Sequence, residues 1–132
     1  MNFTAAPSLD DIERLTRQAW EAMPAEFRAL ASGIIFRVED FAAEETLAEL
    51  GIEDPFELSG LYQGVDLTQQ SIADPRPSTP MVFLYRRAIL DEWIERGDVS
   101  LADLVAHVLV HEVGHHFGLS DEQMDAILER AD

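Results

Sequence analysis

The chain contains no cysteine, few basic residues and no long apolar run. Without cysteine it forms neither a disulfide nor a thiolate metal site, so histidine and carboxylate side chains would have to hold any metal. No apolar segment approaches the ~20 residues that a membrane span requires. The start, "MNFTAAPSLDDIERL", lacks the basic and apolar stretches of a signal peptide. We therefore expect a cytoplasmic protein without membrane contact.

Acidic residues outnumber basic residues 26 to 9, which gives a formal net charge of −17. A negative field of this size repels phosphate backbones, so we do not expect nucleic acid as a partner. The length of 132 residues and the hydrophobic content of 47% suit one globular domain over residues 1–132. The acidic surplus is otherwise typical of a solvated surface.

Capping residues and apolar spacing predict several helices around a small sheet. "IIFRVED" and "MVFLY" are rich in β-branched and aromatic residues and predict strands, and "LSGLYQGVDLT" predicts a short strand between tight turns. "ADPRPSTP" holds three prolines and predicts an exposed loop. This mixture indicates an α+β fold. The expected helices run from Ser8 to about Met23, from Pro24 to Leu30, from Ala43 to Leu50, over "RRAILDEWIERG" to Gly97, from Ser100 to Gly118, and briefly after Ser120.

Three of the four histidines lie within "HEVGHH", residues 111–116, on the helix that ends at Gly118. His111 and His115 are four residues apart, so both imidazoles lie on one helix face and can meet one small cation. Glu112 points about 100° around the helix, where it can act as general base rather than as a ligand. This spacing is the His-Glu-x-x-His arrangement of metalloproteases.

A catalytic zinc usually has three protein ligands, so a third must come from elsewhere in the chain. Gly118 can turn the chain back beneath the helix, which brings Asp121 toward the metal. His107 is excluded as a third ligand because the eight residues from His107 to His115 rise about 12 Å. His116 is expected either to form a hydrogen bond that orients a loop or substrate, or to have no role. The carboxylates that remain alternatives to Asp121 are those of Glu122, Asp125 and Glu129.

The chain resembles the small zincin-like metallopeptidase family of bacterial proteins. The residues that carry the resemblance are "HEVGHHFGLSD", the "GLYQG" turn and the strand "MVFLYRR". The family implies a minimal zincin-like α+β fold, in which a small mixed sheet packs against helices that include the zinc-binding helix. It also implies one Zn²⁺ per chain held by His111, His115 and Asp121, with Glu112 as general base in the hydrolysis of a peptide or protein substrate.

Two tyrosines and one strand have further expected roles. Tyr62 and Tyr85 could each donate a hydrogen bond to an oxyanion, although core or rim packing is the simpler explanation for each of them. In zincins an edge strand above the metal pairs with extended substrate, and by resemblance "MVFLY" would be that strand.

The sequence also allows an alternative function. Only 11 residues follow Asp121, too few for the methionine turn and lower subdomain of metzincins. The alternative is therefore a non-catalytic structural or regulatory zinc-binding domain, and a partner protein could complete the substrate cleft.

Overall fold

The computed structural model describes residues 5–64, 79–119, 122, 123 and 126 of the chain. Helices make up most of this part, and three short strands form one sheet. The sequence predicted an α+β fold, and this prediction is confirmed. The elements are α1 (Leu9–Ala22), α2 (Ala25–Leu30), β1 (Ile35–Glu39), α3 (Glu44–Leu50), a one-turn 3-10 helix (Pro55–Glu57), β2 (Gly60–Gln63), β3 (Met81–Tyr85), α4 (Arg86–Arg96) and α5 (Leu101–His116).

The sheet has the strand order β1-β3-β2. Strand β3 pairs in parallel with β1 and antiparallel with β2, so the sheet is mixed. The expectation that "MVFLY" is an edge strand is wrong, because β3 is hydrogen-bonded on both sides. Among the described residues, β2 and β1 form the two edges of the sheet.

Side chains of β3 alternate between two apolar clusters on opposite faces of the sheet, as the two-residue period of a strand requires. Val82 and Leu84 are fully buried in the larger cluster, against α1 and α5. Phe83 and Tyr85 belong to a smaller cluster on the other face. The sheet is therefore covered on both faces at its central strand.

Helix α5 lies at the centre of the molecule and contacts α1, α4, β2 and β3. Its apolar residues are buried along nearly the whole length, from Leu101 to Val113. A helix so enclosed holds any functional side chain near its end in a fixed position. Within the described ranges, none of the helices is both long and apolar enough to cross a membrane.

The predicted helix starts are confirmed at two serines. The Ser8 hydroxyl accepts a hydrogen bond from the backbone N–H of Asp11, and the Asp11 carboxylate accepts one from the backbone N–H of Ser8. Ser100 accepts a hydrogen bond from the backbone N–H of Asp103 at 3.1 Å, which begins α5. Most of the predicted "ADPRPSTP" loop and the helix start at Ser120 lie outside the described residues.

Candidate metal centre

The last two turns of α5 carry the histidine motif. His111 is half-buried, and its Nε2 atom is enclosed by protein. The side chain of His115 is about half exposed, at 51%. His107 lies one turn before His111, with 4.3 Å between the two ring centroids. The helix thus presents a stripe of imidazoles, of which His111 and His115 were predicted as zinc ligands.

Glu112 lies between the two predicted ligands and is largely buried, with 14% of its side chain exposed. Its Oε1 atom is 3.2 Å from Nδ1 of His115, and its carboxylate accepts a hydrogen bond from the backbone N–H of Tyr62. Burial raises the pKa of Glu112 above its ordinary value, because it removes water from the charged form. The neighbouring His115 and His111 and the Tyr62 N–H partly offset this rise in pKa. The carboxylate is therefore a stronger base than an exposed glutamate.

An open cleft of about 290 Å³ lies beside this motif. Its walls are the end of the 3-10 helix, the start of β2, one side of α4 and the middle of α5. His111 and Glu112 both line it, so the predicted general base faces space that a ligand can enter. The charged or histidine side chains on its walls are Glu57, Glu92, Arg96, His107, His111 and Glu112.

His116 is buried, with 4% of the residue exposed, on the side of α5 that faces β2. The Tyr62 hydroxyl lies 2.7 Å from its Nδ1 atom, at hydrogen-bond distance. Of the two expectations for His116, the hydrogen bond is confirmed. Its partner was missed because 54 residues separate the two side chains.

Tyr85 lies at the end of β3 and is 2% exposed, packed with Ala42 and Ala88. Burial raises its pKa to about 12, and the charges of Glu39 and Glu112 add to the rise. This position favours the packing explanation for Tyr85 over a role as oxyanion donor.

The proposed third ligand, Asp121, lies outside the described residues, as do Asp125 and Glu129; Glu122 is described and exposed. Within the described part of the chain, no group of three histidine, aspartate or glutamate residues could hold a metal. Gly118 has a φ of 68°, the left-handed conformation predicted for it, and Leu119 donates a hydrogen bond back to the carbonyl of Gly114. The chain therefore turns back on α5 three residues before Asp121.

The donor set fits zinc. Two imidazoles one helical turn apart are typical zinc ligands, and neutral nitrogen donors are poor ligands for Ca²⁺ or Mg²⁺. The open cleft beside His111 leaves space for the free coordination position that a catalytic zinc needs.

The sequence matches the family of zincin-like metallopeptidases over residues 31–130. Because this match covers most of the chain, including the sheet, α4 and α5, the protein belongs to the zincin-like metallopeptidase family. The resemblance noted from the motif is thereby confirmed. A comparison with curated proteins gives no match.

Proposed function

We propose that the chain, as a single domain, is a zinc-dependent peptidase that binds one Zn²⁺ through His111, His115 and Asp121. The observation that carries this proposal is the position of Glu112. Its carboxylate is largely buried, adjoins His115, and lines the open cleft beside His111. Membership of a metallopeptidase family supports the same function.

Zinc bound at this motif would supply a Lewis acid that polarises the scissile carbonyl and makes a nearby water more acidic. Glu112 would accept the proton of that water as it attacks, and then donate the proton to the leaving amine. In the metal-free protein, burial raises the pKa of Glu112, and a carboxylate with a raised pKa accepts a proton more readily than an exposed one. The cleft along α4 and α5 would hold the peptide.

Asp121 is proposed as third ligand because it follows Gly118 by three residues in the sequence, and the chain reverses its direction at Gly118. The expected cytoplasmic location, the peptide or protein substrate and the absence of nucleic acid as a partner are parts of the same proposal.

The test compares three variants of the zinc-loaded protein for metal content and for cleavage of a library of quenched fluorescent peptides. Glu112→Gln should keep about one zinc per chain and lose hydrolysis by at least ~100-fold, since general base catalysis contributes about 10²–10⁴-fold. His115→Ala should lose both the zinc and the hydrolysis. Glu95→Gln, a carboxyl change at an exposed position on α4, serves as the matched control and should change neither.

A non-catalytic zinc domain of the same fold would give a different result. It would bind zinc through the same histidines, cleave no peptide, and respond to Glu112→Gln with no change in any binding property.

A further inference from the structure

Strand β2 contacts α5 through residues of its own that take no part in the proposed reaction. Gly60 and Tyr62 are two residues apart and face the same side of the sheet, toward α5. Leu61 faces the other side and packs on the smaller apolar cluster. Glu112 and His116 are four residues apart and therefore lie one helical turn from each other. The spacing of the strand thus matches one turn of the helix.

The register of the sheet fixes where the backbone of Tyr62 points. Tyr85 donates a hydrogen bond to the Ser59 carbonyl at 2.9 Å, which makes Ser59 and Tyr85 a hydrogen-bonded pair. Such pairs alternate along an antiparallel ladder, so Tyr62 and its partner Val82 form a non-hydrogen-bonded pair. The N–H of Tyr62 therefore points away from β3, at the outer edge of β2. Glu112 accepts a hydrogen bond from that N–H.

The side chain of Tyr62 holds the same helix at a second point. Its hydroxyl is 2.7 Å from Nδ1 of His116, and the two rings meet edge to face with 5.6 Å between centroids. His116 is buried, so the imidazole end of this partly buried contact is shielded from water. Tyr62 thus contacts α5 through its backbone at Glu112 and through its side chain one turn later.

We propose that Tyr62 is a positioning residue for Glu112. Its phenol, held by the buried His116, fixes β2 along α5, and the fixed strand presents the N–H that orients the Glu112 carboxylate. A hydrogen bond weakens steeply when its angle or length changes, and an error of about 1 Å at a catalytic group can cost roughly 100-fold in rate. This role differs from the oxyanion contact expected of Tyr62, because the structure directs the hydroxyl toward His116.

The proposal rests on the proposed function for what Glu112 does, and its test separates the two. Tyr62→Phe removes the hydroxyl and keeps both the ring and the backbone N–H. In the zinc-loaded protein we expect kcat on a cleaved fluorogenic peptide to fall about 10-fold, with KM and zinc affinity changed less than about 2-fold because the ligands are untouched. Thr16→Val is the matched control. It deletes a buried hydroxyl that donates to the carbonyl of Ile12 at 2.7 Å, far from the motif in sequence, and should leave kcat unchanged.

Amide hydrogen exchange gives a readout that does not depend on catalysis. The N–H of residue 62 is protected by its bond to Glu112, so Tyr62→Phe should speed its exchange about 10-fold while Thr16→Val does not. His116→Phe removes the other member of the pair and keeps an aromatic ring. It should show the same fall in kcat and the same faster exchange at residue 62, and it takes the place of Tyr62→Phe if that variant does not fold.

Two results would overturn the positioning role. One is unchanged exchange at residue 62 in both variants. The other is a kcat that stays at the wild-type value, or that falls only together with zinc affinity. A wild-type protein that binds zinc and cleaves no peptide contradicts the proposed function alone, and the exchange rates then still decide the role of Tyr62.

Discussion

The close approach of β2 to α5 requires glycine at position 60. A Cβ added to Gly60 would lie 2.7 Å from Cγ1 of Val108, 3.1 Å from Cγ of Glu112 and 3.2 Å from the carbonyl oxygen of Phe83. Valine has one preferred side-chain rotamer in a helix, and the carbonyl belongs to the central strand, so neither neighbour moves easily. Gly60→Ala should therefore push β2 away from α5.

The expected size of this effect follows from two opposing contributions. Added methyl groups in a packed site cost about 1–3 kcal/mol, and the lower entropy of the unfolded chain returns about 0.4–1 kcal/mol. A net loss of about 1–2 kcal/mol should lower Tm by roughly 4–8 °C in a domain of this size. Thermal unfolding followed by circular dichroism measures it. Gly33→Ala is the control, because a Cβ at Gly33 meets nothing within 4 Å.

Gly33→Ala should be neutral or slightly stabilising. If Gly60→Ala unfolds at the same temperature as Gly33→Ala or above it, packing at residue 60 does not hold β2 against α5. Equal Tm values would mean that the strand can shift without cost, and the positions of Tyr62 and Glu112 would then not be fixed by packing.

Three further predictions concern the charge, the metal and the backbone. Burial raises the pKa of Glu112, so the folded state binds the carboxyl proton more tightly than the unfolded chain and loses stability as pH rises through that pKa. Metal-free Glu112→Gln should therefore have a higher Tm than wild type at pH 8. Below about pH 4, where Glu112 is protonated in both states, the two proteins should have the same Tm. Imidazoles bind zinc only when neutral, so dialysis should release the metal as pH falls through roughly 6, and retention at pH 4 would contradict histidine ligation. Gly97 ends α4 with a φ of 74° and has open space around it. Gly97→Ala should therefore lower the free energy of unfolding by about 1 kcal/mol through backbone strain alone. Urea denaturation measures this loss, and an unchanged midpoint would contradict it.

The local parts of the fold were predictable because each depends on a few neighbouring residues. The reciprocal hydrogen bonds of Ser8 and Asp11 are readable as a capping pattern, and Gly97 follows the last apolar position of α4. Apolar residues alternate in "IIFRVED" as in a half-buried strand, and the structure has Ile34 buried and Ile35 exposed. Such signals lie within one turn or a few strand residues.

Strand order was not predictable, because it depends on contacts between distant segments. The apolar run "MVFLY" shows that the strand is buried on both faces, but nothing in it shows how many strands flank it. The edge position assigned to it by resemblance was therefore wrong.

The candidate site also has a part that the sequence predicts and a part that it does not. His111, Glu112 and His115 are placed by helix geometry alone, so their spacing predicts their common location at the end of α5. The contacts of Glu112 and His116 with Tyr62 come from β2, whose position is set by packing at Gly60. No short-range pattern contains that information.

Zinc binding by His111 and His115 underlies the proposed catalysis, and His107 offers a control for it. His107 and His111 are also four residues apart, with ring centroids separated by 4.3 Å, so they form a rival ligand pair on the same helix. The decisive measurement is the metal content of the purified, untagged protein by mass spectrometry, with His115→Ala and His107→Ala measured alongside. About one zinc per chain, lost in His115→Ala and kept in His107→Ala, is the predicted result. Zinc lost in His107→Ala but kept in His115→Ala, or no zinc bound by the wild-type protein even with excess metal, would contradict zinc binding by His111 and His115.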